Sequence, residues 1–279
     1  MSRCVSIIIP AHNEARYIET CLLGLLSSEG PHGNVEIIVV ANGCADDTAD
    51  KAKLMEPDFV ARGWVLQVIE TPIGNKPHAL NIGDAEAAWE NRVYLDADVT
   101  VSRDLISQIV QRMDRHEPIY VSGTPVVTAP RYGISRPYAR FWAGLPFVAE
   151  GVPGFGIFAV NKGGRARWRE FPEVISDDTF VRLNFAPHER VRVAASYNWP
   201  IVDGFRKLVR VRRRQDIGVH EISAKFPRLG KNSTSTKLGL SGILTRLVGD
   251  PVGFFAYGFV SLAVRLPILK SDSGWARGR

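Results

Sequence analysis

The sequence predicts an α/β fold whose mostly parallel sheet carries helices on both faces, followed by a basic, partly amphipathic helical extension. Over roughly the first hundred positions, short runs rich in β-branched residues alternate with helical patterns across short connections, which predicts the sheet. The gathering of Lys and Arg late in the chain predicts the extension.

The elements follow in order. Val5 to Ile9, closed by Pro10, reads as a strand buried on both faces. A helical pattern runs from about Glu14 to Ser27, with Ile18, Leu22, Leu25 and Leu26 on one side. Val35 to Val40 is the second strand. Asn42-Gly43 then turns the chain toward a helix opening near Asp46 and Asp47, acids suited to a helix N-terminus. Val65 to Ile69 is the third strand, Pro77 to Trp89 the third helix, and Val93 to Leu95 a fourth strand ending at Asp96. Right-handed crossovers turn such an alternation into a parallel sheet. Later, Pro125, Pro130, Pro137, Pro146 and Pro153 are expected to interrupt any long element, and Gly151, Gly154 and Gly156 to loosen a loop. Ile157 to Val160 reads as a strand, Asp177 to Phe185 as a short helix, and Gly204 to about Leu229 as a basic helical segment. The expected organisation is three segments, 1–130, 131–203 and the extension 204–279.

With 279 residues, 45% hydrophobic and 23% charged, the chain can bury a substantial core, which excludes fibres and disordered tails. Cys4, Cys21 and Cys44 have no paired spacing, so a reducing compartment is expected. Val5 to Ile9 is too short for a signal-peptide core, and a cytoplasmic location is expected, with peripheral contact on the inner face of the membrane as an option. The longest apolar run, Val252 to Val264, has 13 residues, below the roughly 20 of a spanning helix. At this level membrane surface, core and partner contact stay open for it.

Charge is unevenly spread. Residues 1–130 carry 10 Lys and Arg against 18 Asp and Glu, whereas 131–279 carry 25 against 11. A basic half attracts phosphate, nucleic acid or anionic lipid, and acids can hold a cation. In open sheets ligands bind beyond the carboxyl ends of the strands, here Pro10 to Asn13, Ala41 to Asp46, Thr71 to Lys76 and Asp96 to Asp98. Asp96 and Asp98, two apart in extended chain, point the same way and can converge on one cation; a turn or helix cap is the alternative. Lys76 opens a helix, where the macrodipole disfavours a cation by about 0.3 to 1 kcal/mol unless an anion is near.

These segments together resemble a family 2 glycosyltransferase with the GT-A (Rossmann-like) fold. Ile7-Ile8-Ile9-Pro10-Ala11-His12-Asn13-Glu14 resembles the family's first strand and its Pro-x-x-Asn-Glu turn. Val39 to Thr48 resembles the second-strand signature, Gly74 to Asn81 the Gly-x-Lys-x-x-Ala-Leu-Asn segment, and Asp96 to Asp98 the metal motif. Gly154 to Val160 is similar to the acceptor-side loop and strand, and Ser176-Asp177-Asp178-Thr179 to the family's Thr-Glu-Asp.

The resemblance implies an inverting, nucleotide-sugar-dependent enzyme of the hexosyl-transferase kind, with Asp178 as catalytic base and Asp98 with Asp96 holding Mn2+ or Mg2+. It implies donor or acceptor contacts at Pro10, Ala11, Asn13, Glu14, Asn42, Lys76, Asp96, Gly156 and Asp177. Arg210, Arg213 and Arg214 are candidates for phosphate, since planar guanidinium offers bidentate contacts. The acceptor is expected to be a glycan or lipid-linked hydroxyl, as in polysaccharide biosynthesis. Ala41-Asn42 departs from the usual acid, which leaves nucleotide identity open, and the Gln-x-x-Arg-Trp of processive synthases is absent. His12 and His78 read as lining or packing.

Competing readings are weaker. A nucleotidyltransferase lacks its Gly-x-Gly-Thr-Arg loop, and a dehydrogenase its Gly-x-Gly-x-x-Gly. A non-enzymatic nucleic-acid binder would pair its positive charge with stacking aromatics, whereas these arginines interleave with Leu208, Val209 and Val211; no nucleic acid is expected.

Overall fold

The computed structural model describes residues 3–128, 133–234 and 239–266. Pro130 and the expected boundary beside it lie outside the described residues, as does the end of the extension. The chain divides into two compact units: Met1–Val126 with Val152–Trp199, and Val127–Gly151 with Pro200–Arg279.

The first unit begins with β1 (Val5–Ala11), α1 (Ile18–Leu26), β2 (Val35–Asn42), α2 (Thr48–Lys53), α3 (Glu56–Ala61), β3 (Val65–Thr71), α4 (Lys76–Glu86) and β4 (Asn91–Leu95). It continues with β5 (Thr100–Val101), α5 (Leu105–Met113) and β6 (Tyr120–Thr128). The second unit contributes α6 (Ser135–Ala143) and α7 (Pro146–Ala149); the chain then returns with β7 (Ile157–Val160), α8 (Lys162–Arg165), α9 (Asp177–Leu183) and β8 (Arg190–Pro200). The second unit closes with α10 (Phe205–Lys225), α11 (Leu240–Gly249) and α12 (Pro251–Arg265).

One sheet of eight strands runs in the order β3-β2-β1-β4-β7-β6-β8-β5. β3, β2, β1 and β4 are parallel, as the alternation predicts. From β4 onward the pairings β4–β7, β7–β6 and β8–β5 are antiparallel. All residues of β1 and β2 are buried, which is why both read as mainly apolar runs; the buried Ser6 and Glu36 inside them satisfy each other, the Ser6 hydroxyl donating to the Glu36 carboxylate. Their odd-numbered side chains, Ile7, Ile9, Ile37 and Val39, join Ile18, Leu22 and Leu25 of α1 in the main core. Ile38 and Val40 face the other way, onto Ala79 of α4. A Cβ on Gly83 would stand 2.4 Å from Ile8, so glycine there lets α4 lie close on β1.

Several expectations need adjusting. α1 starts at Ile18, because Asn13 takes a left-handed φ of 53° and the Glu14 amide is spent on the Thr48 hydroxyl (2.8 Å). The prolines do not break the second half as expected. Pro125 lies within β6, while Pro137 sits in the first turn of α6 and Pro146 opens α7, places where a missing N–H costs least.

In the second unit α12 buries Gly253, Ala256, Val260 and Ala263. Tyr138 and Phe141 of α6 meet Tyr257 and Phe254 of α12, with ring centroids 5.6 and 5.7 Å apart. Asp250 caps α12 by accepting from the Gly253 amide (3.0 Å) and takes both arms of the Arg140 guanidinium (2.9 and 2.5 Å). Arg213 of α10 donates to the carbonyls of Ala263, Val264 and Leu266, closing the other end.

Candidate active site

The carboxyl ends of β1, β2, β3 and β4 lie on one edge of the parallel half of the sheet, and the predicted residues of the first unit collect there. Pro10 and Ala11 finish β1 and are buried. The Asn13 side-chain Oδ1 accepts from the Ala45 amide (2.6 Å), and Asn42, only 1% exposed, donates its side-chain Nδ2 to the Ala11 carbonyl (2.8 Å). These bonds tie the turns after β1 and β2 together. His12 joins them through Nδ1 and the Asn42 carbonyl (2.5 Å). Gly43, at φ 56°, approaches Gly74 so closely that a Cβ would stand 2.6 Å from the Gly74 Cα.

Lys76 is the centre of the geometry. Asn75 caps α4 by accepting from the His78 amide (2.9 Å), which leaves Lys76 at the first helical position. Its ammonium reaches Asp96 at 2.9 Å and Asp177 at 3.1 Å. The anion that the helix dipole calls for is therefore supplied twice, from the end of β4 and from the start of α9. Burial works against charge on Lys76, but Asp177 and Asp96 outweigh it and its pKa is raised.

Asp178 follows on the same first turn of α9, half-buried, accepting from the Thr179 amide (2.6 Å). Burial and then the neighbouring Asp177 push its carboxyl up to about 6, while Lys76 pulls it back. The Tyr197 phenol is raised first by burial and then by the charges of Asp178 and Asp96. Burial, and then the charges of Asp98, Asp96 and Glu14, push the Cys21 thiol up.

Gly156 sits at φ 80°, its carbonyl accepting from the Asp96 amide (2.8 Å). The loop it belongs to is held by Tyr197, whose hydroxyl donates to the Phe155 carbonyl (2.8 Å), and by Trp199, whose ring lies 4.6 Å from Phe155. Sequence reading passes over both aromatics, although Val193, Ala195 and Tyr197 of β8 are buried at the period of a strand. It also misses Asp84 of α4, which takes hydrogen bonds from Arg92 (3.2 Å), Arg165 (2.9 Å) and Tyr94 (2.8 Å) and so joins α4, β4 and α8 behind the rim.

Arg210, Arg213 and Arg214 belong to α10 in the second unit. Arg210 is exposed, and Arg213 serves the α12 carbonyls. Asp96 and Asp98 offer hard carboxylate oxygens on one turn. Among the described residues no group of three or more His, Cys, Asp or Glu is placed to hold a metal. That donor set fits a Mg2+ or Mn2+ shared with phosphate oxygens rather than one caged by protein.

Known proteins agree with this architecture. A family profile described as Glycosyl transferase family 2 matches residues 6–172, and the chain belongs to that family of transferases. Among characterised relatives, glycosyltransferase GlyG of Streptococcus pneumoniae is 24% identical over 123 residues, 44% of this chain and 39% of its own length. Glycosyltransferase AglE of Haloferax volcanii is 28% identical over 129 residues, 46% of this chain and 41% of its own. The matched stretch thus spans well under half of either relative. Among solved structures, the mannosyltransferase PcManGT from Pyrobaculum calidifontis, in complex with GDP-Man and Mn2+, superposes with a TM-score of 0.62 at 24% identity, covering 94% of this chain and 76% of that one. TarS of S. aureus with UDP-GlcNAc follows at TM-score 0.54 and 17% identity, covering 95% of this chain and 82% of the other. These likenesses show the GT-A fold.

Proposed function

We propose that the chain transfers a sugar from a nucleotide-sugar donor to the hydroxyl of a glycan or lipid-linked acceptor, with inversion. The observation that carries this reading is the Lys76 bridge, which joins the acid ending β4 to the acids opening α9 on one rim. Residues 1–130 then serve the donor and 131–203 the acceptor.

Asp178 takes the proton of the acceptor hydroxyl as its oxygen bonds to the anomeric carbon. The bond from that carbon to the diphosphate breaks on the opposite face, and the nucleoside diphosphate carries away the electron pair. A carboxyl raised by burial is a stronger base than an ordinary aspartate, yet is still ionised at neutral pH. Asp98 and Asp96 would hold a divalent cation, Mn2+ or Mg2+, whose charge when bound offsets the negative charge gathering on the leaving diphosphate. Lys76 adds a fixed positive charge at the same rim and keeps Asp96 and Asp177 in register. Pro10, Ala11, Asn13, Glu14 and Asn42 frame the nucleoside end, and Gly156 gives backbone room on the acceptor side. Arg210 and Arg214 remain the candidates for phosphate on the extension, since the Arg213 guanidinium is bonded to the α12 carbonyls. An acceptor carried on a lipid places the enzyme in the cytoplasm, on the inner face of an anionic membrane. Against nucleic acid as the partner stands the use of Arg213, which holds the end of α12.

The test is a panel of UDP-, GDP- and dTDP-sugars with Mn2+ or Mg2+, read by thermal shift and by release of nucleoside diphosphate. One donor class is expected to stabilise the protein in a metal-dependent way, and Asp178→Asn to keep that stabilisation while losing turnover. The reading fails if no nucleotide sugar shifts the melting curve, or if Asp178→Asn turns over as well as the parent.

A further inference from the structure

α12 carries apolar side chains on two neighbouring faces, one residue and so about 100° apart round the helix. The inner stripe, Gly253, Ala256, Val260 and Ala263, is buried. The outer stripe repeats at the same helical spacing: Val252 is 63% exposed, Phe255 66%, Phe259 57% and Leu262 59%. Leu244 and Val248 of α11, four residues apart, extend the exposed face. Isolated surface apolar residues need no explanation, but a continuous stripe of large ones marks an interaction surface.

Charge identifies what covers it. Residues 200–279 hold fifteen Lys and Arg against five Asp and Glu. The Phe205 ring stacks on Phe259 with centroids 4.9 Å apart, so the exposed Arg206 and Lys207 at the start of α10 adjoin one part of the stripe. Arg265 ends α12. Toward the helix start a cavity of about 460 Å3 opens among α6, α11 and α12, and Arg246 lines it beside the Arg140–Asp250 pair. Cations flanking an apolar stripe match a surface that is anionic outside and hydrocarbon within. A second copy of this chain matches poorly, because a two-fold contact would set the same basic patch against itself.

No single helix among the described residues is long and apolar enough to cross a membrane. α11 and α12 reach that length and hydropathy only together, and they bend by 116° between Gly249 and Pro251. We propose that the outer face of α11 and α12 seats in the interface of an anionic phospholipid bilayer, the aromatic and aliphatic stripe among the acyl chains and the exposed Arg206, Lys207 and Arg265 against lipid phosphates. The inference deepens the lipid-linked acceptor of the proposed function, and its test reads lipid binding without sugar transfer, so either can fail alone.

The experiment is flotation of the full chain with phosphatidylcholine vesicles, with and without phosphatidylglycerol, at low and high salt. The protein is expected to float with the anionic vesicles and to be released by salt. Phe255→Ser with Leu262→Ser should lower flotation by roughly tenfold or more, and Arg206→Ala with Lys207→Ala by roughly tenfold. Both pairs are exposed, so melting temperatures should match the parent; if the apolar pair fails to fold, the charge pair carries the test. Equal flotation of folded variants and parent overturns the proposal. So does absence of flotation at low salt, or a dimer in gel filtration that the apolar substitutions convert to monomer without any lipid binding.

Discussion

Lys76 and Asp177, on helices far apart in sequence, meet at 3.1 Å, and the same ammonium holds Asp96 at 2.9 Å. Removing that charge has a directional effect, because Lys76 is one of the groups that lower the Asp178 pKa. Lys76→Met is expected to move the acid limb of the pH–rate profile to higher pH and to reduce kcat/KM by roughly tenfold to a hundredfold. A profile of kcat/KM against pH for parent and variant checks it; an unmoved limb would contradict the bridge.

Asp178 itself should set that limb. With its carboxyl pushed up to about 6, the base is ionised above this value and is lost by protonation as pH falls through it. Turnover should therefore decline on the acid side of about pH 6. Asp178→Asn should cost roughly a hundredfold to ten-thousandfold in kcat with little change in donor binding.

For Asp98 the readout is metal-dependent binding. Asp98→Asn is expected to abolish the extra thermal stabilisation that Mn2+ gives in the presence of donor, and to slow transfer by roughly a hundredfold or more. Calorimetric titration of Mn2+ with nucleoside diphosphate present separates this from a folding defect.

At Gly156 the constraint is steric. A Cβ there would stand 2.8 Å from both Trp199 and Val99, at a φ of 80° that L-residues disfavour. Gly156→Ala should lower stability by about 1 to 3 kcal/mol and slow turnover with it, because the Gly156 carbonyl holds the Asp96 amide. Urea denaturation and a turnover assay check the two together.

Glu189 gives a prediction of stability alone. The Arg167 guanidinium, bonded to both its oxygens, holds its carboxyl down to about 2 from the ordinary 4.5. A depressed carboxylate stabilises the folded state fully above 4.5, and that contribution is lost as pH falls through about 2. Glu189→Gln should cost about 1 kcal/mol at neutral pH, the solvent-screened size of such a pair, and nothing in strong acid. Melting curves across that range test it.

The edge formed by the ends of β1 to β4 is legible because its signals are local. β1 and β2 are mainly apolar runs buried on both faces, and the polar residues of the rim stand at their ends. The Asp178 region was legible only through its motif. α5 and β8 carry local signals too, Leu105, Ile106, Ile109, Val110 and Met113 at helical spacing and the alternation of β8. What no local pattern carries is pairing at a distance. The bridge from Lys76 to Asp177, the antiparallel half of the sheet and the three hydrogen bonds on Asp84 each depend on where the chain returns after a long excursion.

The near-contact of Gly43 with Gly74 bears on how such an enzyme can be redesigned. Two backbones that leave no room for a methyl group cannot be exchanged singly with segments from a relative, since a longer or bulkier insert in either would lift the other away. Chimeras aimed at a new donor would have to transplant both turns as a matched pair, or leave both and vary only the side chains around them.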